Sequence, residues 1–134
     1  MEYVIDSYAW VEYFIGSKKG EVLKSLFSKS NNKFYTIEPC LAEIKGWSLK
    51  NGQEFNILLK VIKSNSEILE MSENDWINSG KERFEQRKKQ KDFGLIDSTI
   101  LVKQKEKKCK VISGDKHFGN IKEVIFIKKS LRSV

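Results

Sequence analysis

The segment Tyr3-Val4-Ile5-Asp6 places three apolar residues directly before a carboxylate. A short apolar run that stops in this way is typical of a buried strand. From Ser7 to Ile15, large apolar side chains recur at helical spacing, and Gly16 is suited to end that helix. The beginning of the chain therefore predicts a strand, an acid at its carboxyl end and then a helix.

The rest of the chain repeats this alternation. Four more strands are predicted, at residues 34–37, 68–71, 111–114 and 124–127. One of the helices between them is predicted from Glu73 to about Gln90, where Ser72 and Asp75 have the spacing of a capping box, and another from Leu95 to Lys107. Short apolar strands that alternate with helices favour an α/β fold with a parallel sheet and helices on both of its faces.

Length and composition are those of a folded protein. The chain has 134 residues, of which 40% are hydrophobic and 32% charged, so we expect a single domain over residues 1–134 with one core. Lys and Arg number 25 against 18 Asp and Glu, which gives a net charge of +7. This balance favours an anionic partner such as nucleic acid, although a merely solvated Lys-rich surface explains the charge equally well.

Two further features concern the location of the protein. Cys40 and Cys109 have no CxxC or Cys/His neighbour, so we expect two reduced, packed thiols. The first residues lack a basic region followed by a long apolar run, and no apolar stretch approaches the length of a membrane span. These observations predict a cytoplasmic protein without a membrane partner.

Two acids stand at predicted strand ends. Asp6 follows the first strand, and Asp115 lies two residues beyond Ser113 at the end of the fourth. In sheets of this kind ligands bind beyond the carboxyl ends of the strands, so both acids are candidates for a functional site. For Asp6 the alternative is a helix N-cap with no further role.

Two other acids lie on helices beside apolar positions. Asp97 precedes Ile100 and Leu101 by three and four residues, which places its carboxylate on their face of the helix. A carboxylate at such a position costs free energy unless it is paired or bound to metal, although an acid in the first helical turn is also stabilised by the helix dipole. Glu43 precedes Trp47 by four residues and is either part of the site or a solvated flank.

Taken together, the four acids predict a metal site. Clustered carboxylates repel one another, and hard oxygen ligands select Mg²⁺ or Mn²⁺ as the counter-ion. Such an ion can activate water, and two ions about 4 Å apart can stabilise both sides of an in-line phosphoryl displacement. An acidic metal pocket on a basic protein is suited to the hydrolysis of phosphodiester bonds in nucleic acid.

Four short motifs of the sequence resemble those of PIN-domain nucleases. Their order and spacing, and the length of the chain, are similar to the VapC-like toxins of that family, and the resemblance covers nearly the whole chain. The motifs are Val4-Ile5-Asp6-Ser7-Tyr8-Ala9-Trp10, Ala42-Glu43-Ile44, Gly94-Leu95-Ile96-Asp97-Ser98 and Val111-Ile112-Ser113-Gly114-Asp115-Lys116-His117-Phe118.

The resemblance implies a three-layer α/β/α sandwich with a five-stranded parallel sheet. It also implies a Mg²⁺- or Mn²⁺-dependent ribonuclease that leaves 5′-phosphate and 3′-hydroxyl ends, forms a homodimer and is inhibited by a cognate antitoxin. The metal ligands that it implies are Asp6, Glu43, Asp97 and Asp115. Ser113 stands where the family often has Thr, and its hydroxyl would orient a ligand or water, while Ser7 is a weaker candidate for the same role.

The residues before Asp97 depart from the family pattern. Lys88, Lys89 and Lys91 make this approach unusually basic, so they either contact RNA phosphates or form a solvated helix end. We interpret Asp92 and His117, the only histidine, as surface residues without a catalytic role.

Two other classes of function remain open on the sequence. The first is a catalytically inactive PIN-like module that binds nucleic acid. The second is a receiver-like phosphoacceptor domain, which is disfavoured because no second acid adjoins Asp6. A dehalogenase-type phosphatase would need an Asp two residues after Asp6, where Tyr8 stands instead.

Overall fold

The computed structural model describes residues 1–127. The strands are β1 (Glu2–Ile5), β2 (Lys33–Ile37), β3 (Glu67–Leu69), β4 (Lys110–Ser113) and β5 (Val124–Phe126). The helices are α1 (Ser7–Phe14), α2 (Glu21–Phe27), α3 (Glu38–Lys50), α4 (Phe55–Asn65), α5 (Glu73–Gln86) and α6 (Leu95–Lys107). A short 3₁₀ turn, Lys116–Phe118, follows β4.

All five strands belong to one parallel sheet with the order β3-β2-β1-β4-β5. The predicted α/β fold and the five-stranded parallel sheet are therefore confirmed. The direction of strand progression reverses between β1 and β4, which opens a crevice at their carboxyl ends. The same order argues against the receiver-like alternative, because receiver domains use the order 2-1-3-4-5.

The sheet separates two hydrophobic cores. Tyr3 and Ile5 of β1 point into one core and Val4 into the other, because successive side chains of a strand alternate between faces. The first core also takes side chains from α1, α2, α3 and α4, whereas α6 covers the second and α5 packs on α6. These layers are those of the predicted α/β/α sandwich.

Two predicted boundaries are wrong by a few residues. Helix α5 ends at Gln86 rather than near Gln90, because the chain then turns and Arg87 Nε donates a hydrogen bond to the carbonyl of Phe93 at 2.8 Å. Strand β3 ends at Leu69, since the N–H of Met71 bonds to the Glu38 side chain at 2.9 Å instead of continuing the ladder.

Local signals elsewhere act as predicted. Ser72 and Asp75 form a reciprocal capping box at the start of α5. Gly16 ends α1 with a φ of +70°, a conformation that glycine adopts without steric cost. Cys40 and Cys109 are both buried free thiols. Among residues 1–127 no helix combines the length and the apolar character needed to cross a membrane.

Candidate metal centre

Asp6 lies at the point where the strand order reverses. It directly follows β1, and its backbone N–H continues the sheet by donating to the carbonyl of Ile112 on β4 at 3.0 Å. Although Asp6 occupies the N-cap position of α1, its side chain makes no capping hydrogen bond. The N-cap alternative is therefore wrong, and the carboxylate of Asp6 is free to face the crevice.

A buried hydroxyl joins the ends of β1 and β4. Ser113 Oγ donates to Asp6 Oδ2 at 2.6 Å and accepts from the backbone N–H of Asp115 at 3.0 Å. This single side chain therefore fixes both the orientation of one acid and the turn that carries another. The close approach of that turn needs Gly114, because a Cβ at this position would collide with the ring of Tyr8 and the carbonyl of Ile127.

Glu43 reaches the same region from α3. The residue as a whole is exposed, but its carboxylate accepts a hydrogen bond from Ser7 Oγ at 2.7 Å. The same hydroxyl lies 3.4 Å from Asp6 Oδ1. Ser7 thus bridges two acids that are 37 positions apart by their numbers in the sequence.

Asp97 projects from the first turn of α6. Ile100 and Leu101 of this helix are buried in the core, as predicted, while the Asp97 side chain is 17% exposed and lies at the rim. Helix α6 begins at Leu95, and Gly94 occupies its N-cap position with an extended backbone.

All four predicted acids line one cleft of about 300 Å³. Asp6 and Asp115 follow strands β1 and β4, and Glu43 and Asp97 lie on helices α3 and α6. The complete lining is Asp6, Ser7, Tyr8, Val11, Glu12, Glu43, Trp47, Asp97 and Asp115. The structure thus brings together every acid that the sequence nominated, although their roles as ligands stay a prediction.

The electrostatics of the cleft favour an added positive charge. Burial raises the pKa of Asp6 to about 7; neighbouring carboxylates add to this shift and the hydrogen bond from Ser113 opposes it. Burial, with repulsion from Asp115, also raises the pKa of Asp97 to about 6. Partial desolvation of its carboxylate raises the pKa of Glu43 as well. Each shift reports an anion that its protein surroundings stabilise poorly.

Cys40 lies close behind this cluster. One atom from each of Cys40, Asp6 and Glu43 falls within 4.8 Å of the other two. Burial, with the charges of the same acids, raises the pKa of the Cys40 thiol well above its ordinary value. The side chain is therefore a neutral thiol beside the carboxylates of Asp6 and Glu43.

Our interpretation of His117 as a surface residue is wrong. Its side chain is only 16% exposed, and Nδ1 lies 2.9 Å from Asp115 Oδ1 and 3.3 Å from Asp97 Oδ2. Asp92 is exposed, as predicted, but its Oδ2 lies 3.1 Å from Nε2 of the same ring. Burial lowers the pKa of His117, but the adjacent acids outweigh it and raise the pKa above its usual value. The sequence signal for His117 was its position two residues after Asp115.

The basic segment lies outside the cleft. Lys88, Lys89 and Lys91 are exposed, and none is among the described residues that line the acidic pocket. Lys88 lies 3.1 Å from Glu85 and over the ring of Phe84. The helix that was predicted to carry Lys88 and Lys89 ends before them, so all three lysines lie in a turn and the loop that follows.

No protein-family model matches the chain, and no curated protein sequence matches it either. Solved structures do resemble it. The chain is 11% identical to Mycobacterium tuberculosis VapC20, described as a sarcin-ricin loop cleaving toxin, with a TM-score of 0.75 over 94% of this chain and 99% of that one. It is 20% identical to a chain of VapBC2 from Rickettsia felis bound to a promoter DNA fragment, with a TM-score of 0.71 and coverages of 94% and 97%.

A chain of a toxin-antitoxin complex from Klebsiella pneumoniae gives a TM-score of 0.67 at 18% identity, over 96% of this chain and 99% of that one. At such identities the likeness concerns the fold. The chain therefore has the PIN-type fold of VapC toxins, as its motifs predicted.

Proposed function

We propose that this chain is a metal-dependent ribonuclease that hydrolyses RNA phosphodiester bonds, and that it is the toxin of a toxin-antitoxin pair. One observation carries the proposal: four carboxylates from four distant parts of the chain line a single cleft at the β1–β4 crevice. A purely structural role does not account for this arrangement. Clustered carboxylates repel one another and destabilise a fold unless a cation compensates them.

The donor set fits a hard divalent cation. The four side chains offer only carboxylate oxygens, the ligand type preferred by Mg²⁺ and Mn²⁺. Asp6, Asp97 and Asp115 would hold the ion, and Glu43 would complete the set or position the attacking water. When bound, such an ion lowers the pKa of water and stabilises charge that develops on the phosphate.

Two serine hydroxyls orient the carboxylates of this site. Ser113 holds Asp6 in one orientation, and Ser7 fixes the more exposed carboxylate of Glu43. Side chains held in this way need little reorganisation when an ion or substrate arrives, which supports both binding and rate. Glu43 lies at the solvent side of the cleft, where it is placed to accept a proton or a hydrogen bond from water.

Two of the similar structures support the biological part of the proposal. The protein from M. tuberculosis is described as a toxin that cleaves the sarcin-ricin loop, and the one from K. pneumoniae as part of a toxin-antitoxin complex. We infer by this likeness an RNA substrate and an antitoxin partner, and from the resemblance of the motifs a homodimer. Expression in growing cells tests the toxin assignment. Growth arrest by the parent but not by Asp6→Asn, with relief by the protein encoded beside it, would support the assignment. Growth that the parent leaves unaffected would contradict it. Sedimentation of the purified chain tests the dimer.

The central test is cleavage of a mixed RNA pool by purified protein with Mn²⁺, with Mg²⁺ and with EDTA. We expect cleavage only with metal, and a loss of about a thousandfold or more in Asp6→Asn and Asp97→Asn, equivalent to about 4 kcal/mol of transition-state stabilisation. Products with 5′-phosphate ends separate this hydrolysis from contaminating ribonucleases that act through the 2′-hydroxyl.

Glu54→Gln is a matched control, because it removes one exposed carboxylate that does not line the cleft. Its activity should equal that of the parent. Variants at Asp6 and Asp97 that cut as well as the parent would show the site assignment to be wrong. Metal-dependent binding of RNA without any cleavage would instead favour the inactive PIN-like module.

A further inference from the structure

His117 is held firmly at the edge of the cleft. It lies in the 3₁₀ turn after β4, where its backbone N–H donates to Asp115 Oδ1 at 2.8 Å and its carbonyl accepts from Gln90 Nε2 at 2.8 Å. Its ring packs edge-on against the buried ring of Phe93, with the centroids 5.9 Å apart. Contacts of the backbone N–H, the carbonyl and the ring therefore fix the direction of the imidazole.

The Nδ1 atom faces two acids of the proposed metal centre. It lies 2.9 Å from Asp115 Oδ1 and 3.3 Å from Asp97 Oδ2. Both ring nitrogens are buried, and neither makes an aligned hydrogen bond with any residue of the described chain. The described residues therefore leave both nitrogens unsatisfied, and Nδ1 is open to a bond with an ion.

The spacing of these atoms suits a common ion. Ligands that lie about 2.1 Å from a cation and occupy adjacent corners of an octahedron are about 3 Å apart. The distances from Nδ1 to the two carboxylate oxygens match that spacing, and one atom from each of the three residues falls within 4.8 Å of the others. The same ring therefore has room to bind an ion together with both acids.

The other ring nitrogen faces a carboxylate of its own. Asp92 Oδ2 lies 3.1 Å from Nε2, and the Asp92 side chain is 69% exposed, so it is free to align. A histidine that binds metal through one nitrogen commonly donates the N–H of the other to a carboxylate, which fixes the tautomer. Asp92 thus supplies a contact that a ligating His117 needs and that a surface histidine does not.

We propose that His117 is a ligand of the metal centre through Nδ1, with Asp92 as the carboxylate that orients it. The centre then combines imidazole nitrogen with carboxylate oxygen, and so takes Mn²⁺ in preference to Mg²⁺, which keeps to oxygen ligands. This inference rests on the proposed metal centre and specifies Mn²⁺ as the ion that the centre binds.

The direct test is pulsed electron paramagnetic resonance of Mn²⁺ bound to the untagged protein. His117 is the only histidine of the chain, so modulation from an imidazole ¹⁴N can arise only from this residue. We expect that modulation in the parent and its loss in His117→Gln. Because the parent alone gives the deciding spectrum, the test does not depend on whether the variant folds.

Metal affinities provide a second measurement. In His117→Gln the affinity for Mn²⁺ should fall by about ten- to a hundredfold, whereas the affinity for Mg²⁺ should change by less than about threefold. Asp92→Asn should weaken Mn²⁺ binding by about tenfold. Glu85→Gln removes an equal charge from an exposed site that does not contact the ring, and it should leave the affinity unchanged.

The outcomes separate this inference from the proposed function. Bound Mn²⁺ without ¹⁴N modulation, in a protein that still cleaves RNA, would overturn the role of His117 and leave the ribonuclease assignment intact. Modulation in a protein that cleaves no RNA would keep the ligand and contradict the nuclease. A protein that binds no Mn²⁺ would overturn both.

Discussion

Asp6 and Asp75 are both buried carboxylates, 3% and 8% exposed, yet their surroundings shift their pKa values in opposite directions. A hydrogen bond from Lys103, at 2.8 Å, is the main cause that lowers the pKa of Asp75. Burial raises the pKa of Asp6 to about 7. The hydrogen-bond partners of Asp6 are the hydroxyls of Ser113 and Ser7, which are neutral and so do not compensate its charge as Lys103 does for Asp75.

The difference separates an acid that the fold compensates from one that it leaves without a cation. The fold gives Asp75 a cation of its own, and Lys103 Nζ also contacts Glu106 at 2.8 Å, so this buried cluster is compensated within the protein. The cleft acids surround a space instead, and His117 is the only basic group that the described residues place in contact with them. Burial alone therefore does not distinguish Asp6 from Asp75, whereas burial without a resident cation does.

Loss of Lys103, the cation that compensates Asp75, should have the strongest effect on stability. Lys103→Met leaves Asp75 buried without its partner, and we expect the free energy of unfolding to fall by about 3–5 kcal/mol. Asp97→Asn relieves repulsion in the cleft and should leave stability within about 1 kcal/mol of the parent, or raise it. Urea unfolding without divalent metal measures both changes.

The matched control is Lys105→Met, on the same helix. Lys105 pairs with Glu82 at 2.8 Å, but its side chain is 61% exposed, so its loss should cost about 1 kcal/mol or less. If Asp97→Asn destabilised the protein as much as Lys103→Met, the cleft acid would have a structural role and the contrast would be lost.

The pH dependence of stability offers a second test. In the metal-free protein the pKa values of Asp6 and Asp97 are about 7 and about 6, above those of the unfolded chain. From about pH 4 to 7 the folded state therefore retains protons that the unfolded state has released, and stability falls as pH rises through this range. The raised pKa of His117 acts in the same direction, because its contribution is present below the unfolded value and is lost as pH rises.

We expect the free energy of unfolding to fall by about 2 kcal/mol between pH 5 and about pH 7.5, because each unit of pKa difference corresponds to ~1.4 kcal/mol and relaxation of the cleft removes part of it. Asp75 contributes little there, since its lowered pKa affects stability only in more acidic solution. Asp6→Asn should flatten the profile, and saturating Mn²⁺ should reverse it by binding the deprotonated acids. A metal-free parent that gains stability over this interval would contradict the shifts.

Much of this fold could be predicted from short-range patterns. Apolar runs such as Tyr3-Val4-Ile5 and the helical spacing in α6 depend on neighbours in sequence, and the structure confirms them. The cleft acids could be nominated because the carboxyl ends of parallel strands share one edge of the sheet. That they face a common space depends on the strand order, which local patterns do not determine.

The errors lie where tertiary contacts decide the structure. Residues 87–91 are good helix formers without a stop signal, so α5 was predicted too long. After its end, Arg87 bonds to the carbonyl of Phe93 within the following loop, and Gln90 bonds to that of the distant His117. The same loop brings Asp92 to the His117 ring, a contact that spacing in the sequence could not reveal.

A smaller effect, on RNA binding, is expected from exposed lysines that have no buried acid as a partner. Lys103 is committed to Asp75, whereas Lys89 and Lys91 are exposed and Lys88 has only the exposed Glu85 as its partner, so these three lysines are available to an external anion. Changing all three to Gln in the Asp97→Asn background, in which we expect no cleavage, should weaken RNA binding several-fold. It should also reduce the slope of log affinity against log salt by up to about 2, at ~0.7 per phosphate contact with single-stranded RNA.

A comparison triple variant, with Gln at the exposed Lys29, Lys60 and Lys63, removes the same charge from α4 and the segment after α2. It should lower affinity only through the smaller net charge and keep the salt slope of the parent. Equal slopes for the two triple variants would show that RNA is attracted by the net charge of +7 as a whole. A smaller slope for the first alone would place phosphate contacts beside the loop that carries Asp92, and so next to the cleft in which Asp6 is buried without a cation of its own.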